Sequence, residues 1–171
     1  MSIPKRHGRI FGTYFVTSRT WEGHALFFKE TSARAFVNTL LEYRARAIYL
    51  LHAFVLMPDH FHLIITPAND ITLERAVQFI KGGSSHALKE SLRSRVPIWQ
   101  KGFSDHRIRD AADYAIHIRY IEQNPVKRGL VMQPSDYPWS STSGSFLLDE
   151  EPQRLKPLAS AARVGTAKAM P

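Results

Sequence analysis

Cysteine is absent from all 171 residues of the chain. No disulfide, thiolate nucleophile or cysteine-ligated zinc can be built, which fits a reducing cytoplasm, the expected location. Also missing is any apolar run near the ~20 residues that a membrane-spanning helix requires, so no membrane partner is expected. The basic start Met1-Ser2-Ile3-Pro4-Lys5-Arg6-His7 is followed by no apolar stretch, so a secretory signal is not expected either. Acidic residues are the scarcer charge: 15 Asp and Glu stand against 23 Lys and Arg, a formal net charge of +8. That excess favours a polyanionic partner, and nucleic acid is the commonest one. Hydrophobic content of 44% and charged content of 22% are ordinary for a folded protein, so the chain is expected to form one compact domain with a tail.

Residues 10–17 are β-branched and aromatic and predict a first strand. From Thr31 the period changes: Phe36, Leu40, Tyr43 and Ala47 recur at helical spacing, with Thr31 or Ser32 as N-cap and an end near Arg46. Residues 48–56 read as a buried strand, Met57-Pro58-Asp59 as a turn, and residues 60–66 as the returning strand of a hairpin. A second helix is expected over 73–92, with Gly82-Gly83 marking a bend or a close backbone approach. Residues 96–109 read as a strand or hairpin, and Asp110 as the cap of a third helix that should stop before Pro125. The order β-α-β-β-α-β plus one helix predicts an α+β fold, the ferredoxin-like split βαβ sandwich, with two helices on one face of an antiparallel sheet. Domain limits of 1–145, with a tail over 146–171, follow from the acidic Asp149-Glu150-Glu151-Pro152 and the small-residue stretch after it.

Two features carry chemistry. Side chains alternate along a strand, so His60 and His62 share one face while Phe61 points to the other. Two imidazoles roughly 7 Å apart along the backbone can close on one divalent cation; the plainer alternative is a pair of half-exposed polar positions. On the third helix, Tyr114, Ile118 and Ile121 form an apolar stripe, and Asp113, His117, Tyr120 and Asn124 a separate one. If the second stripe leans over the hairpin, Asn124 could complete a metal shell and Tyr120 present its hydroxyl beside it. The plainer alternative is a tyrosine packed at a helix edge.

Three segments then look familiar: Val55-Leu56-Met57-Pro58-Asp59-His60-Phe61-His62-Leu63, Trp99-Gln100-Lys101-Gly102-Phe103-Ser104-Asp105-His106-Arg107-Ile108-Arg109, and Tyr120-Ile121-Glu122-Gln123-Asn124-Pro125-Val126-Lys127-Arg128-Gly129-Leu130-Val131. With Asp136-Tyr137-Pro138-Trp139-Ser140-Ser141, the chain over residues 8–145 resembles the REP-associated tyrosine transposases, a branch of the single-tyrosine HUH transposases. The resemblance implies cleavage and rejoining of single-stranded DNA next to a hairpin (REP-like) element, with Tyr120 as nucleophile forming a 5′-phosphotyrosine and His60 and His62 as metal ligands. Related transposases often carry Gln one turn after the tyrosine as third ligand; here the position is Asn124, one methylene shorter. Mg²⁺ or Mn²⁺ is the expected ion: mixed nitrogen and oxygen ligation suits Mn²⁺, while Mg²⁺ is the abundant one. By analogy with the family branch a monomer is favoured over a homodimer.

Candidate phosphate contacts are Lys5, Arg6 and Arg9 in a basic N-terminal arm, Lys81 on the second helix, and Arg107, Arg109, Lys127 and Arg128 around the third. Phe103, Trp99 and Trp139 could stack on unpaired bases, though core packing suits the tryptophans better. Three other readings stay open: a domesticated hairpin-binding protein that does not cut; an RNA-binding ferredoxin-like module, for which Tyr14 and Phe15 are a poor aromatic match; and a metallohydrolase recruiting a carboxylate such as Asp105.

Overall fold

The computed structural model describes residues 11–93, 95–153 and 155. Four antiparallel strands form one sheet: β1 (Tyr14–Arg19), β2 (Tyr49–Met57), β3 (His60–Pro67) and β4 (Ser104–Arg107), in the order β2-β3-β1-β4. Helices α1 (Glu30–Ala45) and α2 (Leu73–Leu92) cover one face, and α3 (Ala111–Lys127) covers the other. This is the expected ferredoxin-like α+β arrangement with an added helix. Each face has its own apolar core: Val16, Phe61, Leu63 and Ile65 pack under α1 and α2, while Val55, Met57, Ile64 and Ile121 pack under α3. Strands covered on both sides need apolar residues at nearly every position, which is why β2 reads as an almost unbroken hydrophobic run. Among the described residues no helix is long and apolar enough to cross a membrane.

α2 occupies the expected span because both ends are marked: the Thr72 side chain accepts from Arg75 N, and Arg93 leaves the helix with a left-handed φ of 50°. α1 starts one residue before Thr31, and neither Thr31 nor Ser32 caps it; Ser32 lies buried inside the helix. Glu30 at its first turn favours that start through the helix dipole and pairs with Arg34 one turn on. Ala47 belongs to no helical stripe: it has φ of 57° beyond the helix end. Of the stretch read as a strand or hairpin, residues 104–107 form β4, and Trp99 adds an isolated antiparallel bridge to Thr20. α3 runs through Pro125 to Lys127, against the expected stop. Asn124 and Pro125 are both buried, so tertiary packing holds the residue before proline in a conformation that it would otherwise avoid. The helix closes just beyond, with Leu130 N donating to Pro125 O.

The two adjacent glycines have different reasons. A Cβ on Gly83 would lie 2.7 Å from Tyr43 Cε2 and 3.0 Å from Thr39 Cγ2, whereas one on Gly82 meets nothing within 4 Å. Gly83 is therefore the point where α1 and α2 approach closely. We expect Gly82→Ala to raise stability by about 1 kcal/mol through helix propensity. We expect Gly83→Ala to lower it by about 1 kcal/mol through overpacking. Thermal denaturation of the two variants beside the parent checks both signs.

β2 is an edge strand, and the chain after α3 seals it. Leu56 N donates to Trp139 O at 2.8 Å, Ser141 Oγ bonds both the N and O of Phe54, and Asp149 N donates to Leu51 O. The Asp149 carboxylate accepts from Arg44 through two bonds of 2.8 Å and from Leu51 N. A covered edge cannot template unwanted strand pairing.

Candidate active site

The hairpin turn at Pro58-Asp59 delivers His60 and His62 to the α3 face of the sheet, with Phe61 fully buried on the other. The imidazole rings lie 4.8 Å apart, centroid to centroid, at 78° to each other. His60 Nδ1 sits 2.6 Å from Asp59 Oδ1, and His62 Nδ1 sits 2.7 Å from Thr17 Oγ1. Above them α3 presents Tyr120, whose ring stands edge-on 5.0 Å from His62 and packs against Phe15. Tyr120 is 42% exposed, so its hydroxyl is open to an incoming group. One turn further, Asn124 is 6% exposed. The Tyr120 end of the sequence's polar stripe thus leans over the hairpin strand, while Asp113 and His117 meet His106 on β4.

Two polar atoms in this cluster are buried without a protein partner: His62 Nε2 and Asn124 Oδ1. Such orphaned groups cost free energy unless something satisfies them. With His62 Nδ1 donating to the Thr17 hydroxyl, Nε2 would carry the lone pair; such a nitrogen and an amide oxygen are both ligands for a divalent cation, so His60, His62 and Asn124 fit a metal. Burial, reinforced by the fields of His60 and Arg128, pushes His62 down to about 3. Burial also lowers His60, although Asp59 opposes it. Both imidazoles are therefore neutral and able to ligate at neutral pH.

The same burial makes stability acid-sensitive. Unfolded His62 takes its proton near pH 6.5 and the folded group only near 3, so between those values the unfolded chain binds more protons and stability falls as the pH falls. We expect the metal-free protein to lose about 2 kcal/mol from this group between pH 7 and pH 5. Urea titrations at the two pH values measure the loss, and His62→Gln should remove most of it.

A second group of possible ligands lies beside the first. His106, Asp113 and His117 bring one ligand atom each within 4.8 Å of one another, a possible metal-binding triad. Burial would raise the Asp113 carboxyl, but hydrogen bonds from His106 and Arg109 hold it near 2. His106 Nε2 lies 2.8 Å from this carboxylate, and Arg109 adds both its backbone N and its Nε. His117 Nδ1 is 2.8 Å from Asp113 O, which only accepts, so that nitrogen carries a proton. A carboxylate already satisfied by these donors and a protonated ring nitrogen suit an anchor of α3 on β4 better than a cation site. The orphaned atoms of His62 and Asn124 favour the first cluster.

The expected phosphate contacts divide. Lys5, Arg6 and Arg9 lie outside the described residues. Lys81 is occupied with the carbonyls of Gln100 and Gly102, Arg107 donates to Phe11 O, and Arg109 holds Asp113. Lys127 Nζ lies 5.9 Å from the centre of the Tyr120 ring, and the Arg128 charge reaches both His60 and His62. Trp99 is buried among Phe27, Phe36 and Phe61 and offers no free face to a base. Asp105 pairs across from the core residue Val16, on the sheet face opposite the histidines, which weighs against a hydrolase using it. Sequence reasoning missed Thr17 and Arg19, since strand register is not written in local pattern, and did not use Asp59 beyond its turn.

Comparison with known proteins bears on the same cluster. Residues 16–124 match the family described as "Transposase IS200 like". An Escherichia coli K12 protein named REP-associated tyrosine transposase is 32% identical over 142 residues, 82% of each chain. A Haemophilus influenzae relative is 35% identical over 99 residues, 52% of this chain and 56% of that one. A solved structure described as a REP-associated tyrosine transposase bound to a REP hairpin superposes with a TM-score of 0.71 at 30% identity, covering 84% of both chains. The family supports an enzyme role in DNA transposition. On sequence and fold alike, this chain belongs to the IS200-like transposases, among the REP-associated tyrosine transposases.

Proposed function

We propose that the protein cuts and rejoins single-stranded DNA beside a hairpin, REP-like element, using Tyr120 as nucleophile and a divalent cation held by His60, His62 and Asn124. The observation that carries the reading is the meeting of an exposed phenol with two neutral imidazoles and two orphaned ligand atoms. The binding of a relative to a REP hairpin supports hairpin DNA as substrate. Mn²⁺ suits this mixed nitrogen and oxygen donor set and Mg²⁺ is the more abundant candidate; either, when bound, would supply Lewis-acid polarisation of the scissile phosphate.

The chain's own residues do the rest. The Tyr120 oxygen attacks phosphorus, its bond to phosphorus forms, and the bond from phosphorus to the 3′ oxygen breaks. The leaving oxygen takes a proton from solvent water and becomes a 3′-hydroxyl, while the 5′ phosphate stays on the tyrosine. The phenolic proton goes to a base, for which His117, three residues earlier on the same helical face, is the candidate. The ester keeps the free energy of the phosphodiester, so a second DNA hydroxyl can reverse the step; the outcome is strand transfer and not net hydrolysis. Lys127 and Arg128, at the end of α3 beside Tyr120, would neutralise the flanking phosphates. Tyr120 meets His62 within a single chain, an arrangement that would let the site act in cis.

The test is a denaturing gel after incubation with a single-stranded hairpin oligonucleotide and Mg²⁺ or Mn²⁺. A covalent protein–DNA band is the expected result. Hairpin binding without an adduct would favour a non-cleaving binder, and free DNA ends without an adduct would favour hydrolysis by water.

A further inference from the structure

The strand beside the histidines answers them residue for residue. In the β1–β3 register Thr17 stands directly across from His62, and Arg19 directly across from His60. Thr17 Oγ1 meets His62 Nδ1 itself. Arg19 works through an intermediary: its guanidinium donates to Asp59 Oδ2 at 3.2 Å, and the other carboxylate oxygen lies 2.6 Å from His60 Nδ1. A carboxylate can only accept, so the His60 proton must lie on Nδ1 and its lone pair on Nε2. An isolated neutral imidazole prefers the opposite tautomer, with its proton on Nε2. The protein has reversed that preference at the ring nitrogen a cation would need.

We propose that Asp59 is a positioning residue, anchored by Arg19, which fixes His60 as the Nδ1–H tautomer and turns Nε2 toward the cation site, with Thr17 serving His62 in the same way. The inference rests on the reading of His60 and His62 as metal ligands, yet its first step, the tautomer, can be measured with no metal present. Asp59 has the larger part because its acceptor is charged: it strengthens the bond to His60 and makes the ring a better electron donor. Thr17 offers a neutral oxygen and the weaker effect.

The Asp59 side chain can be changed without dismantling the turn. Its backbone carbonyl is separately engaged by Thr20 N at 2.9 Å and Thr20 Oγ1 at 3.0 Å. Those bonds hold the connection to β1 whatever the side chain is. Asn at position 59 keeps an oxygen acceptor and loses the charge; Ala loses both. The two substitutions therefore separate geometry from charge.

The experiment has two arms on the full chain. Long-range ¹H–¹⁵N spectra of histidine-labelled, metal-free protein at pH 7.5 report which nitrogen of His60 carries the proton. Mn²⁺ titration followed by electron paramagnetic resonance reports affinity, with a His60→Ala/His62→Ala protein as the blank that removes binding elsewhere, including at His106, Asp113 and His117. We expect His60 to be Nδ1–H in the parent and in Asp59→Asn, and to shift toward Nε2–H in Asp59→Ala. Site-specific Mn²⁺ affinity should fall in the order parent, Asp59→Asn, Asp59→Ala, by about 10- to 100-fold across the series, with Thr17→Val falling less than Asp59→Ala. A parent protein that binds no more Mn²⁺ than the blank would overturn the metal reading itself. A parent that binds above the blank, with Asp59→Ala showing the same tautomer and an affinity within twofold, would overturn the role of Asp59 alone.

Discussion

Tyr120→Phe is expected to abolish covalent attachment to DNA while leaving hairpin binding in place. The substitution deletes one oxygen. The ring keeps its edge-on contact with His62 and its packing against Phe15. The residue is 42% exposed, so the fold should lose less than about 0.5 kcal/mol. Chemistry has no such reserve. The other phenol on α3, Tyr114, is buried in the core, so no exposed phenol replaces that of Tyr120, and residual strand cleavage by water should run at least about 10³-fold slower. Adduct formation on denaturing gels, set beside mobility shift of the same hairpin on native gels, reads the two properties separately. Loss of both together would point to a DNA-binding role for the ring instead.

The second large effect concerns the ligand set. Among the described residues, His62→Ala removes the one imidazole whose buried Nε2 has no protein partner. We expect adduct formation to drop by about 10²-fold or more, as it does when a preorganised electrostatic element is lost from a phosphoryl-transfer site. In the metal-free state the same change should relieve acid sensitivity, because the group held near 3 is gone. Activity and low-pH stability should therefore move in opposite directions, a pairing that simple unfolding does not produce. Asn124 supplies a graded control. Asn124→Gln keeps an amide oxygen on a side chain one methylene longer and should retain much of the activity. Asn124→Ala should lose about tenfold or more. Adduct yield against Mn²⁺ concentration, with chelator as the zero, measures all three variants.

What the sequence made legible follows from the range of each signal. A period of two is local, so the opposed faces of His60, Phe61 and His62 were readable before any coordinates. A cap is local too, and Asp110 opens α3 as expected, its side chain accepting from Asp113 N. The stripe Asp113, His117, Tyr120 and Asn124 was readable because helical spacing is local. Its target was not: that this stripe faces β3 depends on how α3 crosses the sheet. Tertiary packing overrode local preference at Pro125, which the helix passes through, and at Ala47, which falls outside α1 despite its spacing. Thr17 and Arg19 became visible only through cross-strand register, and His106 joins Asp113 and His117 only because β4 pairs with β1. The residues that support the ligands are thus the ones a linear reading misses, while the ligands themselves stand out.

The most direct measurement of the central claim is mass spectrometry of the proteolysed adduct formed with a hairpin oligonucleotide. We expect the nucleotide mass on the peptide containing Tyr120, linked through its 5′ phosphate, and formed only when Mg²⁺ or Mn²⁺ is supplied. Nucleotide found on another residue, or cleaved DNA with unmodified Tyr120 peptide and no dependence on the cation, would contradict it.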